Sequence, residues 1–98
     1  MYTISQKNTL KQAINYFGSI NQKIKAIEEF SELTKELCKG INKIGKPNYD
    51  LIDEIADCEI MLEQIKMIYK CHDQVEGHKE TKIVRLFNQM NENGNNQS

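Results

Sequence analysis

Leu51-Ile52-Asp53-Glu54-Ile55-Ala56-Asp57-Cys58-Glu59-Ile60-Met61-Leu62, running on through Ile65 to Tyr69, decides the fold. Leu51, Ile55, Cys58, Leu62, Ile65 and Tyr69 recur every three or four residues, which on a helix advancing ~100° per residue makes one apolar stripe. Glu54 falls inside that stripe, and Asp57 lies at its flank one turn before Met61. An ionised carboxylate turned toward a helical interior is costly unless a cation or a hydrogen-bonding group lies opposite. The same stretch therefore specifies a long helix and a reason to look for a cation.

Working outward, Gly and Pro punctuate the chain. A first helix is expected from about Thr9 to Phe17, with Leu10, Ala13, Ile14 and Phe17 on one face and Gly18 as its stop. Ser19 is placed to cap a second, longer helix reaching about Cys38 and stopping near Gly40. Lys43-Ile44-Gly45-Lys46-Pro47-Asn48 reads as a loop, after which Pro47 or Asn48 opens the third helix, ending about Lys70. The polar break Cys71-His72-Asp73 leads into a fourth helix from about Gln74 to Met90. The tail, residues 91–98, has nothing to bury and is expected to be disordered. No strand and no internal repeat is evident. The expected fold is all-α: four helices in one domain over residues 1–90, with two long central helices.

At 98 residues, with 39% hydrophobic and 28% charged residues, the chain is a single domain of ordinary composition, small enough that a partner chain would help it. A formal net charge of −1 argues against a nucleic-acid grip, which needs clustered Lys and Arg. No stretch approaches a membrane span, and the N-terminus lacks the layout of a secretory leader, so the expected location is the cytoplasm. Cys38, Cys58 and Cys71 are odd in number and widely spaced, as reduced thiols are. Cys71, His72 and His78 offer three ligands where structural zinc takes four, and read as surface residues at a helix junction.

Two acidic groups stand out, Glu28-Glu29-Phe30-Ser31-Glu32 and Glu54-Ile55-Ala56-Asp57. Glu29 with Glu32, and Glu54 with Asp57, share a helix side and can each grip a cation, although such pairs also decorate many solvated helices. On the second helix Glu29, Glu32 and Glu36 lie opposite the stripe Ile20, Ile24, Ile27, Phe30, Leu37 and Ile41, but Glu29 borders Ala26 and Leu33, which could form a second packed edge. On the fourth helix Val75, Lys79, Lys82, Leu86 and Met90 recur on one side, with Arg85 at its flank. Either the lysine stems cover apolar surface while their ammonium groups reach water, or Lys82 and Arg85 meet the phosphates of a substrate.

Glu28-Glu29-x-x-Glu32, then 21 intervening residues, then Glu54-x-x-Asp57 resembles the signature of the MazG-like nucleotide pyrophosphohydrolases, of the all-α NTP pyrophosphatase superfamily. Tyr16-Phe17-Gly18 with Gln22, the stretch from Leu33 to Lys39, and Lys82-Ile83-Val84-Arg85-Leu86 are similar to short bacterial and phage members, over about residues 9 to 90. The resemblance implies that Glu29, Glu32, Glu54 and Asp57 bind Mg²⁺, with Mn²⁺ as a substitute, and that Glu28 assists or orients water. It implies that Lys82 and Arg85 contact phosphate, with Lys79 and Lys39 as further candidates, and that Gln22 either reaches the base or braces two helices. It also implies dimers, or tetramers of two dimers.

The activity so implied is attack by metal-activated water between the α and β phosphates of a nucleoside triphosphate, giving a monophosphate and pyrophosphate. Hard oxygen ligands suit Mg²⁺ better than thiol or imidazole would. Two alternatives stand beside it: a non-catalytic helical interaction module, and a superfamily relative acting on dUTP, dCTP or a phosphoribosyl nucleotide. Ile52, Ala56, Ile60 and Met67 form a second apolar side of the third helix, for which burial in an intersubunit helical bundle, two helices from each of two chains, is the expected solution.

Overall fold

The computed structural model describes residues 1–42, 45 and 48–96, with side chains described to residue 92. Among the described residues it is all-helical with no strand: α1 (Ile4–Phe17), α2 (Ser19–Lys39), α3 (Tyr49–Tyr69) and α4 (His72–Asn96). The expected loop positions Lys43, Ile44, Lys46 and Pro47, and Gln97 and Ser98 of the tail, lie outside the described residues.

Three helices differ from the sequence expectation at their ends. α1 begins five residues earlier than Thr9, because Thr3 and Gln6 form a reciprocal capping box: Gln6 N–H donates to Thr3 Oγ1 (3.1 Å) and Thr3 N–H to Gln6 Oε1 (2.9 Å). Ser19 does not cap α2 but is its first residue, since Gly18 alone turns the chain, at φ 95°, a conformation that favours glycine. α4 starts at His72 and runs to Asn96, past Met90, so residues 91–96 of the expected tail are helical. The left-handed Lys70 (φ 53°) suffices to break α3, and its N–H donates to Lys66 O. The opening of α3 agrees: Leu51 N–H donates to Asn48 Oδ1 (2.7 Å).

α2 and α3 pack antiparallel along most of their length, and α1 lies against both. The seam is not the one the apolar periodicity selects. α2 turns Gln22, Ala26, Glu29, Leu33 and Glu36 toward α3, while Ile20, Ile24, Ile27, Leu37 and Ile41 are exposed. α3 presents Leu51, Glu54, Cys58, Met61, Ile65 and Ile68, leaving Ile55, Leu62 and Tyr69 outside. Both inner sets follow alternating steps of three and four, the spacing of a two-helix seam. α3 carries apolar residues nearly all round, so periodicity alone could not select its inner face. What selects it is close approach at Ala26 (1% exposed) with a polar clasp below, where Gln22 Nε2 donates to Gln64 Oε1 (2.8 Å) and Gln64 Nε2 to Leu10 O (3.2 Å).

α4 is the outlier. Beyond its first turn it makes almost no contact with the other helices, and residues 76–92 are all exposed. The radius of gyration is accordingly 17.3 Å, against about 13 Å for a compact chain of this length. Accessible area is 8278 Å², where a folded monomer of this mass exposes about 5,800 Å². The buried apolar core is correspondingly small: Ala26, Cys58 and Met61.

Candidate metal centre

The two acidic motifs meet across the seam. Glu29 is on the inner face of α2 two turns from Gln22, and antiparallel pairing sets it beside Asp57 and Glu54 on α3. One oxygen from each of Glu29, Glu54 and Asp57 lies within 4.8 Å of the others, and this is the one group of three or more metal-ligand side chains that converges among the described residues. Cys58, one step from Asp57, closes the floor: its Sγ donates to Glu29 O (3.3 Å), and burial followed by the neighbouring carboxylates pushes its thiol pKa up, so it stays protonated.

Electrostatics divide the three carboxylates. Lys25, one turn before Glu29, bonds it at 3.2 Å. That ammonium, opposed by burial, holds the Glu29 carboxyl below its ordinary value. Burial, then the charge of Glu29, pushes Asp57 up, with Asp53 adding to it and Lys25 opposing. Burial and the charges of Glu29, Asp57 and Glu32 push Glu54 up as well. Glu54 Oε2 is inaccessible to solvent and has no hydrogen-bond partner. Three carboxylates thus face one ammonium, with one buried acceptor left unsatisfied.

The remaining expected site residues distribute differently. Glu32 and Glu28 are exposed on α2 beside the cluster; Glu32 reaches Glu54 through its charge, and Glu28 lines an open groove of about 550 Å³ with Phe17, Ile24 and Met61. Gln22 lines that groove and also donates to Gln64 across the α2–α3 seam. Lys39 is ~15 Å along α2 from Glu29 and pairs with Glu36 (3.2 Å). Lys79 pairs with Glu76 (3.1 Å) on α4 itself. Lys82 and Arg85 border a shallow depression on α4 with Gly77 and Thr81, and within one chain α4 does not bring them to the acids. Within one chain, Lys79, Lys82 and Arg85 thus sit on a helix that runs clear of the α2–α3 pair.

Sequence reasoning missed two features. Lys25 carried a readable signal, its spacing of four from Glu29. The other is Glu63, almost buried, which accepts from His72 Nε2 (2.8 Å) and Lys66 Nζ (3.4 Å); burial would push it up, but His72 and Lys66 outweigh burial and hold it below its ordinary value. His72 is thus engaged with Glu63, not with Cys71 and His78 in a metal site. No helix among the described residues is long and apolar enough to cross a membrane. Comparison with protein-family models, with curated proteins and with solved structures gave no match.

Proposed function

We propose that the chain is a Mg²⁺-dependent nucleoside triphosphate pyrophosphohydrolase, cleaving between the α and β phosphates to release a nucleoside monophosphate and pyrophosphate. The observation that carries the reading is the convergence of Glu29, Glu54 and Asp57 from two helices, together with a Glu54 oxygen that is buried and unpartnered. The donor set is all hard oxygen, and a spread within 4.8 Å is close to the ~4.2 Å between opposite ligands of a Mg²⁺ octahedron. The acidic spacing that resembles MazG-like enzymes adds the reaction class.

Glu29, Glu54 and Asp57 would hold the ion, and Glu32 stands one turn away as a further ligand. When bound, Mg²⁺ supplies charge for the phosphates and acidity for water. Lys25 balances Glu29 and limits the repulsion a polyphosphate meets on approach. Exposed Glu28 is free to orient water at the rim, and the groove it lines with Gln22 has apolar walls suited to a base. A cytoplasmic location accords with three free cysteines. The oligomer belongs to the same reading: a homodimer, or a tetramer of dimers, in which the exposed apolar faces of α2 and α3 meet those of a second copy, supported by the surplus of accessible area over a folded monomer.

The test is a panel of NTPs and dNTPs, with dUTP, dCTP and a phosphoribosyl nucleotide, assayed with Mg²⁺, with Mn²⁺ and with chelator. Expected are pyrophosphate and monophosphate in equal amounts, lost in chelator and in Glu54→Gln. Orthophosphate alone, or no metal-dependent product from well-folded protein, overturns the reading and leaves a helical interaction module.

A further inference from the structure

Lys25 borders two features at once. Its ammonium bonds Glu29 at 3.2 Å and so belongs to the acid group, and the residue also lines the open groove of about 550 Å³ beside Glu28. Spacing explains this, because Glu28 and Glu29 lie three and four residues on along α2, both within reach of one lysine head. Glu29 holds the ammonium, while Glu28 is exposed and, among the described residues, in no ion pair. The bond to Glu29, then its charge, raises the Lys25 pKa; burial opposes them, and the charges of Glu28 and Asp57 add to them. Among the described residues no other cation pairs with the acid group: Lys23 lies over the Tyr69 ring at 4.5 Å, Lys39 is held by Glu36 and Lys66 by Glu63. The two members of the pair are unlike. The Glu29 side chain is 14% exposed and set in the seam, whereas that of Lys25 is 55% exposed on a flexible four-carbon stem. An exposed pair of this spacing is weak, so the lysine head can leave without disturbing the seam.

We propose that Lys25 is a displaceable internal cation of the acid site: it holds Glu29 when no ion is bound and turns to Glu28 when a divalent ion takes Glu29. The inference deepens the metal-dependent reading and rests on it for the ion. Its physical ground is competition, since an ammonium and a divalent ion on one carboxylate repel each other at close range. Glu28, one residue before Glu29 and on the groove rim, gives the displaced ammonium an acceptor that keeps it beside the site. Two consequences follow from the exchange. Lys25 lowers the affinity of the acids for a lone ion, and a filled site fixes one oxygen of Glu28 while leaving the other at the rim. Lys25 is thereby a positioning residue, acting through Glu28 and Glu29 and not on the reacting atoms.

Mg²⁺ binding is measured without nucleotide, by titration calorimetry, for the full chain and for Lys25→Gln, Glu28→Gln and the double variant. Both positions are exposed on α2, so the variants keep the fold. Lys25→Gln should bind Mg²⁺ about 2- to 10-fold more tightly, because the competing charge is gone. Glu28→Gln should weaken binding, and weaken it less when residue 25 is already Gln, because no ammonium then needs the second acceptor. Equal or weaker binding by Lys25→Gln, or effects that merely multiply in the double variant, overturns the proposal. A second readout follows the side chain itself. Lysines are ¹³C-methylated at Nζ, which keeps their charge, and the Lys25 signal, assigned by its loss in Lys25→Arg, is followed through the titration. It should move with the calorimetric midpoint. A Lys25 signal that stays fixed while Mg²⁺ saturates the site overturns this inference alone and leaves the metal reading standing, whereas Mg²⁺ bound by neither wild type nor Lys25→Gln overturns both. With no nucleotide present, a chain that hydrolyses nothing still returns one of these outcomes.

Discussion

Replacing Asp57 with Asn is expected to move stability in opposite directions with and without metal. Its oxygen lies within 4.8 Å of those of Glu29 and Glu54. Two unit charges at that distance repel by ~0.9 kcal/mol in water and ~3.5 kcal/mol at an effective dielectric of 20. Solvent access and the opposing Lys25 hold the relief near the lower figure, about 1 kcal/mol. Unfolding entropy for 98 residues is about 0.2 kcal/mol/K, so the metal-free variant should melt about 5 °C above wild type.

If Mg²⁺ binds at these acids, it should invert that order. At a hundredfold excess over its dissociation constant an ion bound only by the folded chain adds ~2.7 kcal/mol, or about 13 °C here. A site weakened a hundredfold by loss of one ligand gains only ~0.4 kcal/mol at the same concentration, about 2 °C. The assay is calorimetry of both proteins at one protein concentration near neutral pH, in chelator and in excess Mg²⁺. The variant should be the more stable in chelator and the less stable in Mg²⁺. An Asn variant that is less stable in chelator, or that gains as much from Mg²⁺ as wild type, refutes the convergence of charges and the ligand role together.

Ala26→Leu forces a larger side chain into the closest approach of α2 and α3 and should cost about 1–3 kcal/mol in urea unfolding; a neutral result means that the seam lies elsewhere. Gln64→Ala removes the clasp to Gln22 and Leu10 and should cost about 1–3 kcal/mol, with a coupling near 1 kcal/mol to Gln22→Ala in a double-mutant cycle. In chelator, stability should rise as pH falls from neutral through the raised folded-state values of Glu54 and Asp57, because an acid whose pKa is raised on folding adds stability on its protonated side. Below about pH 4 it should fall again as Glu63, whose pKa is depressed on folding, takes its proton and releases His72 and Lys66. Thermal melts across that range check both limbs: Asp57→Asn should flatten the first and Glu63→Gln the second.

The four helices were legible because Gly18, Gly40 and the segment around Pro47 divide the periodic runs, and only the ends slipped. The inner faces were less legible, for a physical reason. Packing was decided by small and polar residues, Ala26 with Gln22 and Gln64, while a search for apolar stripes points to Ile20, Ile24 and Ile27, which one chain leaves uncovered. The edge formed by Glu29 with Ala26 and Leu33 was the informative detail, because it placed a carboxylate among seam residues. Glu54 was picked out through its position in a stripe that proved to be rotated, yet both it and Asp57 face α2. The departure of α4 had no signature, since a helix that packs on its own chain and one that packs on another carry the same apolar spacing.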